Sequence, residues 1–191
     1  MSSPVAHSLT GYLIYRLTVR QDETDRWPPL WAYIAMANFP DIDIVFGLLQ
    51  NTPFQYHHES IANSIGMTLA FTLLAWGCAR VFPNGLRWRR AWLFSALYGT
   101  HVLMDFFGAG RAVPILWPLD AHPYINPLGV MPGFVKNHAS NAAFLASLMH
   151  VWNGVVVLIE CAVLLPAIYL AERWRGRRLL EAPPTRPGRK E

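Results

Sequence analysis

The sequence predicts an all-α integral membrane protein, a helical bundle with about five membrane-embedded helices, one or two of them broken or re-entrant. Three observations predict it. Of the 191 residues, 53% are hydrophobic and 15% are charged. The apolar residues fall in long blocks rather than alternating with polar ones, which is a membrane composition more than a soluble one. The basic residues gather beside those blocks, where they orient and anchor a chain in a bilayer. The net charge of +4 therefore points to the lipid bilayer as partner and not to nucleic acid.

The elements follow in order. Pro4 to Val19 is apolar but for His7 and Arg16, and it is short for a span that needs about 20 residues. No basic region precedes it and no A-x-A site follows, so no cleaved signal peptide is expected. Arg16 to Pro29 is a charged loop. Leu30 to Leu49 is apolar again, broken by Asn38-Phe39-Pro40-Asp41-Ile42-Asp43. Asn38 or Asp41 could cap a new helix there, with Pro40 in or near its first turn. Helix ends exposed at membrane depth must face protein or water rather than lipid.

Gln50 to Ser60 is a polar loop with His57, His58 and Glu59. Ile61 to Phe82, Ala91 to Gly108 and His150 to Ala171 are cleaner spans. A basic turn, Pro83 to Arg90, separates the first two, and a long proline-containing loop, about 109–149, separates the last two. That loop is long enough to hold short interfacial helices. The cysteines, Cys78 and Cys161, lie in apolar blocks and read as small buried hydrophobes without a disulfide. The expected domain is 1–172, followed by a basic cytoplasmic tail at 173–191, partly disordered. If the apolar segments all cross and the N-terminus lies outside, nearly every arginine and lysine falls inside, leaving only Arg111 and Lys136 outside.

Polar residues inside these segments are costly and therefore informative. His101 and Asp105 are four apart, so they share one helix face. Placed by depth at 1.5 Å per residue, His7, Asp41, Asp43, His58, His101 and Asp105 all fall in the outer half of the membrane layer. Imidazoles and carboxylates converging at one level suit a divalent metal, zinc first, with iron and manganese also compatible. Glu160 is a lone intramembrane acid that could join this site or pair with an arginine or histidine. By chemistry alone His57 is as good a ligand as His58.

These residues also carry a family resemblance. His7 with Gly11, Pro40-Asp41-Ile42-Asp43, the His58 to Ser64 segment and Gly99-Thr100-His101-Val102-Leu103-Met104-Asp105 occur in order, followed by Leu116-Trp117-Pro118. Over residues 4 to 120 the chain resembles the YdjM-like family of membrane-bound metal-dependent hydrolases, LexA-regulated proteins of the bacterial inner membrane. The resemblance prefers His58 over His57. It implies a metal-activated water attacking an ester or phosphoester, with the six named residues as ligands or their supports and Glu59 or another carboxylate as general base. A site opening on the outer leaflet suggests a lipid or lipid-linked substrate. The chain departs from the family in its third motif, where Asn63 replaces a histidine and Glu59 an arginine. Asn63 can still offer a carbonyl oxygen and Glu59 a carboxylate. The rival expectation is a non-enzymatic membrane protein in which the same cluster is a structural metal site or a helix-packing lock.

Overall fold

The computed structural model describes residues 2–19, 27–52, 61–81, 88–110 and 112–181. Among these the chain is all-helical, with isolated bridges but no strands. The helices are α1 (Pro4–Thr18), α2 (Leu30–Asn38), α3 (Ile42–Leu49), α4 (Ile65–Val81), α5 (Trp88–Phe107), α6 (Asn141–Leu148) and α7 (Val151–Glu181).

The proline break predicted in the second apolar segment is present. A 3-10 turn, Phe39–Asp41, joins α2 to α3. Pro40 supplies no backbone donor, so one rung of the α-helical ladder is lost where the break occurs. The broken pair Leu30–Leu49 and the stretch Val151–Gly176 are long and apolar enough to cross a bilayer, with mean hydropathies of 1.4 and 2.3. Only 28% and 22% of these windows are buried, so their apolar faces point outward, as lipid-facing surfaces do. The other long helices are less decisive. α1 has 15 residues and α4 has 17, short of the ~20 that cross a bilayer unaided. α5 has 20 residues but carries both His101 and Asp105.

α1 packs against α2 and α7, α2 against α5, and α4 against α5. One apolar cluster joins Val19, Tyr33, Ala37, Leu93 and Leu97; another joins Tyr98 and Val102 to Val113 and Ile115 of the long loop. The α1–α2 contact is close because Gly11 has no side chain. A Cβ there would sit 2.9 Å from the Tyr33 carbonyl oxygen. Toward the other end of α1, Arg16 pairs through two nitrogens with Glu172 of α7, Tyr12 donates to the same carboxylate, and Arg175 donates to the Arg16 carbonyl at 2.8 Å.

α7 continues past its apolar stretch into the basic residues, as far as Glu181. The composition turns basic near Glu172, but Glu and Arg are strong helix formers and α1 holds this turn in place. The cysteines differ from expectation. Both are free, yet Cys78 is exposed and Cys161 half-buried. Their helices turn these faces outward, where a small thiol is compatible with lipid.

The long loop is a structured cap. Its Ile115 and Trp117 carbonyls accept from the N–H groups of Ile65 and Gly66, at 3.0 and 2.9 Å. Ser64 Oγ accepts from Met67 N–H at 3.1 Å. The otherwise unpaired donors at the start of α4 are thus satisfied by the loop and by Ser64. Asn153 of α7 holds the loop's far end: it accepts from Val135 N–H at 2.7 Å and donates to the carbonyls of Val135 and Ser147, each at 3.0 Å. Within the loop, Tyr124 donates to Asp120, which holds that half-buried carboxyl below its usual range.

Candidate metal centre

His7, His101 and Asp105 come together in the bundle interior, where each is at most 1% exposed. His7 arrives on α1, while His101 and Asp105 sit one turn apart on α5. His7 Nε2 lies 3.3 Å from Asp105 Oδ1, and His101 Nε2 lies 3.6 Å from Asp105 Oδ2. The two imidazole rings stack, with centroids 3.8 Å apart and an interplanar angle of 18°. One donor atom from each of the three residues lies within 4.8 Å of the others.

The helix break supplies a fourth group. Asp41 occupies the N-cap position of α3, yet its side chain makes no capping hydrogen bond. Both of its carboxylate oxygens are buried without a hydrogen-bond partner, and Oδ1 lies 3.7 Å from His101 Nε2. A cap would have satisfied that carboxylate, so capping does not account for it. The same break orients His101. In a 3-10 turn the Ala37 carbonyl would bond the N–H of residue 40, and Pro40 has none. His101 Nδ1 lies 2.7 Å from that carbonyl instead. A carbonyl only accepts, so Nδ1 carries the proton and Nε2 faces Asp41 and Asp105. A histidine that donates from one nitrogen to a backbone carbonyl and presents the other to a site is arranged as metal-ligating histidines are.

The carboxylates and His101 Nε2 are acceptors facing one another, and His7 adds one protonated and one unprotonated ring nitrogen. His7 Nδ1 and Nε2, His101 Nε2 and both Asp41 oxygens lack hydrogen-bond partners. Either a proton or a cation must lie among them, because buried lone pairs facing one another without one are costly. Ligand bonds of ~2.0–2.1 Å in a tetrahedral zinc site put neighbouring donors about 3.3 Å apart. The observed pairwise separations, 3.3 Å for His7–Asp105, 3.6 Å for His101–Asp105 and 3.7 Å for His101–Asp41, are at or a little above that spacing. The His7, His101 and Asp105 group is arranged so that it could hold a metal ion.

Asp105 is further supported by groups that sequence reasoning missed. Ser2 N–H donates to Oδ1 at 3.0 Å, and Ser2 Oγ to the Met104 carbonyl at 3.2 Å. Asn63 does not offer a carbonyl oxygen to this group. Its Nδ2 donates to Asp105 Oδ2 at 3.3 Å, while its Oδ1 is buried without a partner. Glu160 does not join the donor set, nor does it pair with an arginine or histidine among the described residues. It is fully buried and accepts from the backbone N–H and the hydroxyl of Ser3, the N-cap of α1. Short polar residues at the head of a helix carry no periodic signal, so only the N-cap position of Ser3 was open to anticipation.

Asp43 is also buried, at 6% exposed, on the first turn of α3, but it lies outside the His7–His101–Asp105 group. His58 and Glu59, with the alternative His57, lie outside the described residues.

A family model described as YdjM inner membrane protein matches residues 1–178. No curated protein matches the chain. No solved structure matches it.

Proposed function

The chain belongs to the YdjM inner membrane protein family, and from that premise we propose that it is a membrane-bound metal-dependent hydrolase whose centre is built on His7, His101, Asp105 and Asp41. One observation carries this reading. His7, His101 Nε2 and the Asp41 carboxylate, buried without hydrogen-bond partners, converge with Asp105 from α1, α5 and the α2–α3 break. A divalent ion bound there, zinc before iron or manganese, would supply Lewis acidity and a water acidic enough to ionise near neutral pH. The chain's own residues hold the ligand geometry: Ala37 fixes the His101 tautomer, while Ser2 and Asn63 fix the Asp105 rotamer. The Asp41 side chain, at 12% exposed against 0% for His101, is the member of the site nearest the surface, and substrate entry is proposed on its side. Asp43 and His58 are proposed to support or extend the ligand set, and Glu59 to serve as general base for attack on an ester or phosphoester.

A lipid or lipid-linked substrate suits the setting. An apolar groove of about 420 Å³ runs along α1 and α2, lined by Pro4, Val5, Ser8, Leu9, Tyr12 and Ile34. It offers an acyl chain a seat on the helix that carries His7. We place five embedded helices in the membrane, with the N-terminus and the centre toward the outside and the basic C-terminal region in the cytoplasm. A fluorescent protein fused to the C-terminus should therefore fluoresce, and alkaline phosphatase fused there should be inactive. The reverse pattern would sink this orientation.

The test of the centre is elemental mass spectrometry on detergent-purified protein. The wild type should carry stoichiometric zinc, iron or manganese, and both Asp41→Ala and His101→Ala should lose it. Loss in both variants would justify screening phosphoesters and lipid esters. A wild type that stays metal-free after reconstitution would sink the hydrolase reading.

One observation favours a second reading, a closed structural site or a proton-shared lock between helices. Three of the four groups are at most 1% exposed, and closed, dry sites are structural ones. Metal binding without turnover of any ester, together with loss of thermal stability on metal removal, would select it.

A further inference from the structure

Glu160 is buried within the long apolar stretch Val151–Gly176, and the proposed chemistry gives it no part. Its carboxylate accepts from Ser3 N–H at 2.9 Å and from the Ser3 hydroxyl. Ser3 Oγ in turn accepts from Ala6 N–H at 3.1 Å and caps α1. The Ser3 carbonyl accepts from His7 N–H at 3.1 Å. On the neighbouring residue, Ser2 N–H reaches Asp105. Two carboxylates, one on α5 and one on α7, therefore grip the two residues that start α1. His7 lies one turn beyond that grip. A carboxylate at a helix N-terminus also meets the positive end of the helix dipole.

We propose that Glu160 is a positioning residue for the metal centre: by holding Ser3 from α7, it sets the depth and rotation of α1 at which the His7 imidazole meets Asp105 and His101. The inference rests on the metal-centre reading above. Glu160 touches neither His7 nor Asp105 directly, so it acts through the α1 N-cap. Its absence would leave two buried Ser3 donors and the head of α1 without their anchor, and His7 would lose its register before the α5 residues lost theirs.

The test uses the full chain in detergent with Cys78 and Cys161 replaced by alanine. Two readouts are taken on the parent, Glu160→Gln, Glu160→Ala and Ser3→Ala. The first is Co²⁺ titration followed by its visible absorption. The second is disulfide formation, without metal, between cysteines placed at residues 10 and 104, where Thr10 Oγ1 now lies 3.3 Å from Met104 Sδ. Glu160→Ala should weaken Co²⁺ binding by roughly 10–100-fold, as loss of a supporting contact does. It should also alter the absorption bands and slow cross-linking. Glu160→Gln can still accept from Ser3 N–H and donate to Ser3 Oγ, so it should restore binding to within about tenfold of the parent. If Glu160→Ala cannot be recovered folded, Ser3→Ala carries the test, with weakened binding and slowed cross-linking again expected.

Parent-like Co²⁺ binding and cross-linking in Glu160→Ala, or in Ser3→Ala where that variant carries the test, would overturn the role of Glu160 and leave the centre standing. A parent that binds no Co²⁺ would overturn the centre itself, and the positioning role with it.

Discussion

Asp105→Ala is expected to abolish metal binding and to lower stability by about 3–5 kcal/mol, the range found when one partner of a buried charged pair is removed. Both effects come from one carboxylate. Oδ1 faces His7 and accepts from Ser2 N–H; Oδ2 faces His101 and accepts from Asn63. Removing it leaves two buried imidazoles stacked on each other and two donors without an acceptor. Asp105→Asn separates the two consequences. It keeps the volume and an oxygen for Ser2 N–H, and Asn63, whose Oδ1 is unpartnered, can turn its amide over to match. Asp105→Asn should therefore fold and remain metal-free. Metal content and the thermal midpoint in detergent, measured on both variants, check this. Full metal occupancy in Asp105→Asn would show that the carboxylate charge is not a ligand.

The second large effect is expected far from any titratable group. Gly66→Ala should cost about 3 kcal/mol, at the upper end for overpacking, and should loosen the long loop. A Cβ at Gly66 would lie 2.3 Å from the Trp117 carbonyl oxygen and 2.5 Å from Pro118 Cδ. Neither is the movable end of a flexible side chain. The Gly66 N–H also bonds that same carbonyl at 2.9 Å, so retreat of the loop would break the cap on α4. Limited proteolysis of residues 112–140 should accelerate in the variant. An unchanged thermal midpoint and an unchanged cleavage rate would refute the close packing.

Much of the centre was legible in the sequence because intramembrane charge is rare enough to stand out. His101 and Asp105 declared themselves by their four-residue spacing in an apolar helix, and Pro40-Asp41 announced the helix break. What the break accomplishes was not legible. Asp41 had the position of a cap and was open to that explanation, and only the three-dimensional packing turns its carboxylate toward His101. Nor could a linear pattern reveal that Pro40 releases the Ala37 carbonyl to fix a histidine 64 positions later.

The helical class was plain from the apolar blocks, but their boundaries were less so. The rise in charge near Glu172 looked like the end of a helix, and α7 continues because Arg16 and Glu172 meet across the bundle. The partner of Glu160 was hidden for a similar reason. Serine near a terminus is unremarkable until the fold buries it.

The grip on the head of α1 has a consequence for the order of assembly. Ser2 meets Asp105 across 103 positions and Ser3 meets Glu160 across 157. A chain entering the membrane from its N-terminus holds His7 without its carboxylate until α5 arrives, and the α1 cap without its anchor until α7 arrives. All four groups of the centre are present once α5 has arrived, and only the anchor on the α1 cap waits for the final helix. If the group holds an ion as proposed, retention of that ion would report that α1 and α5 have met.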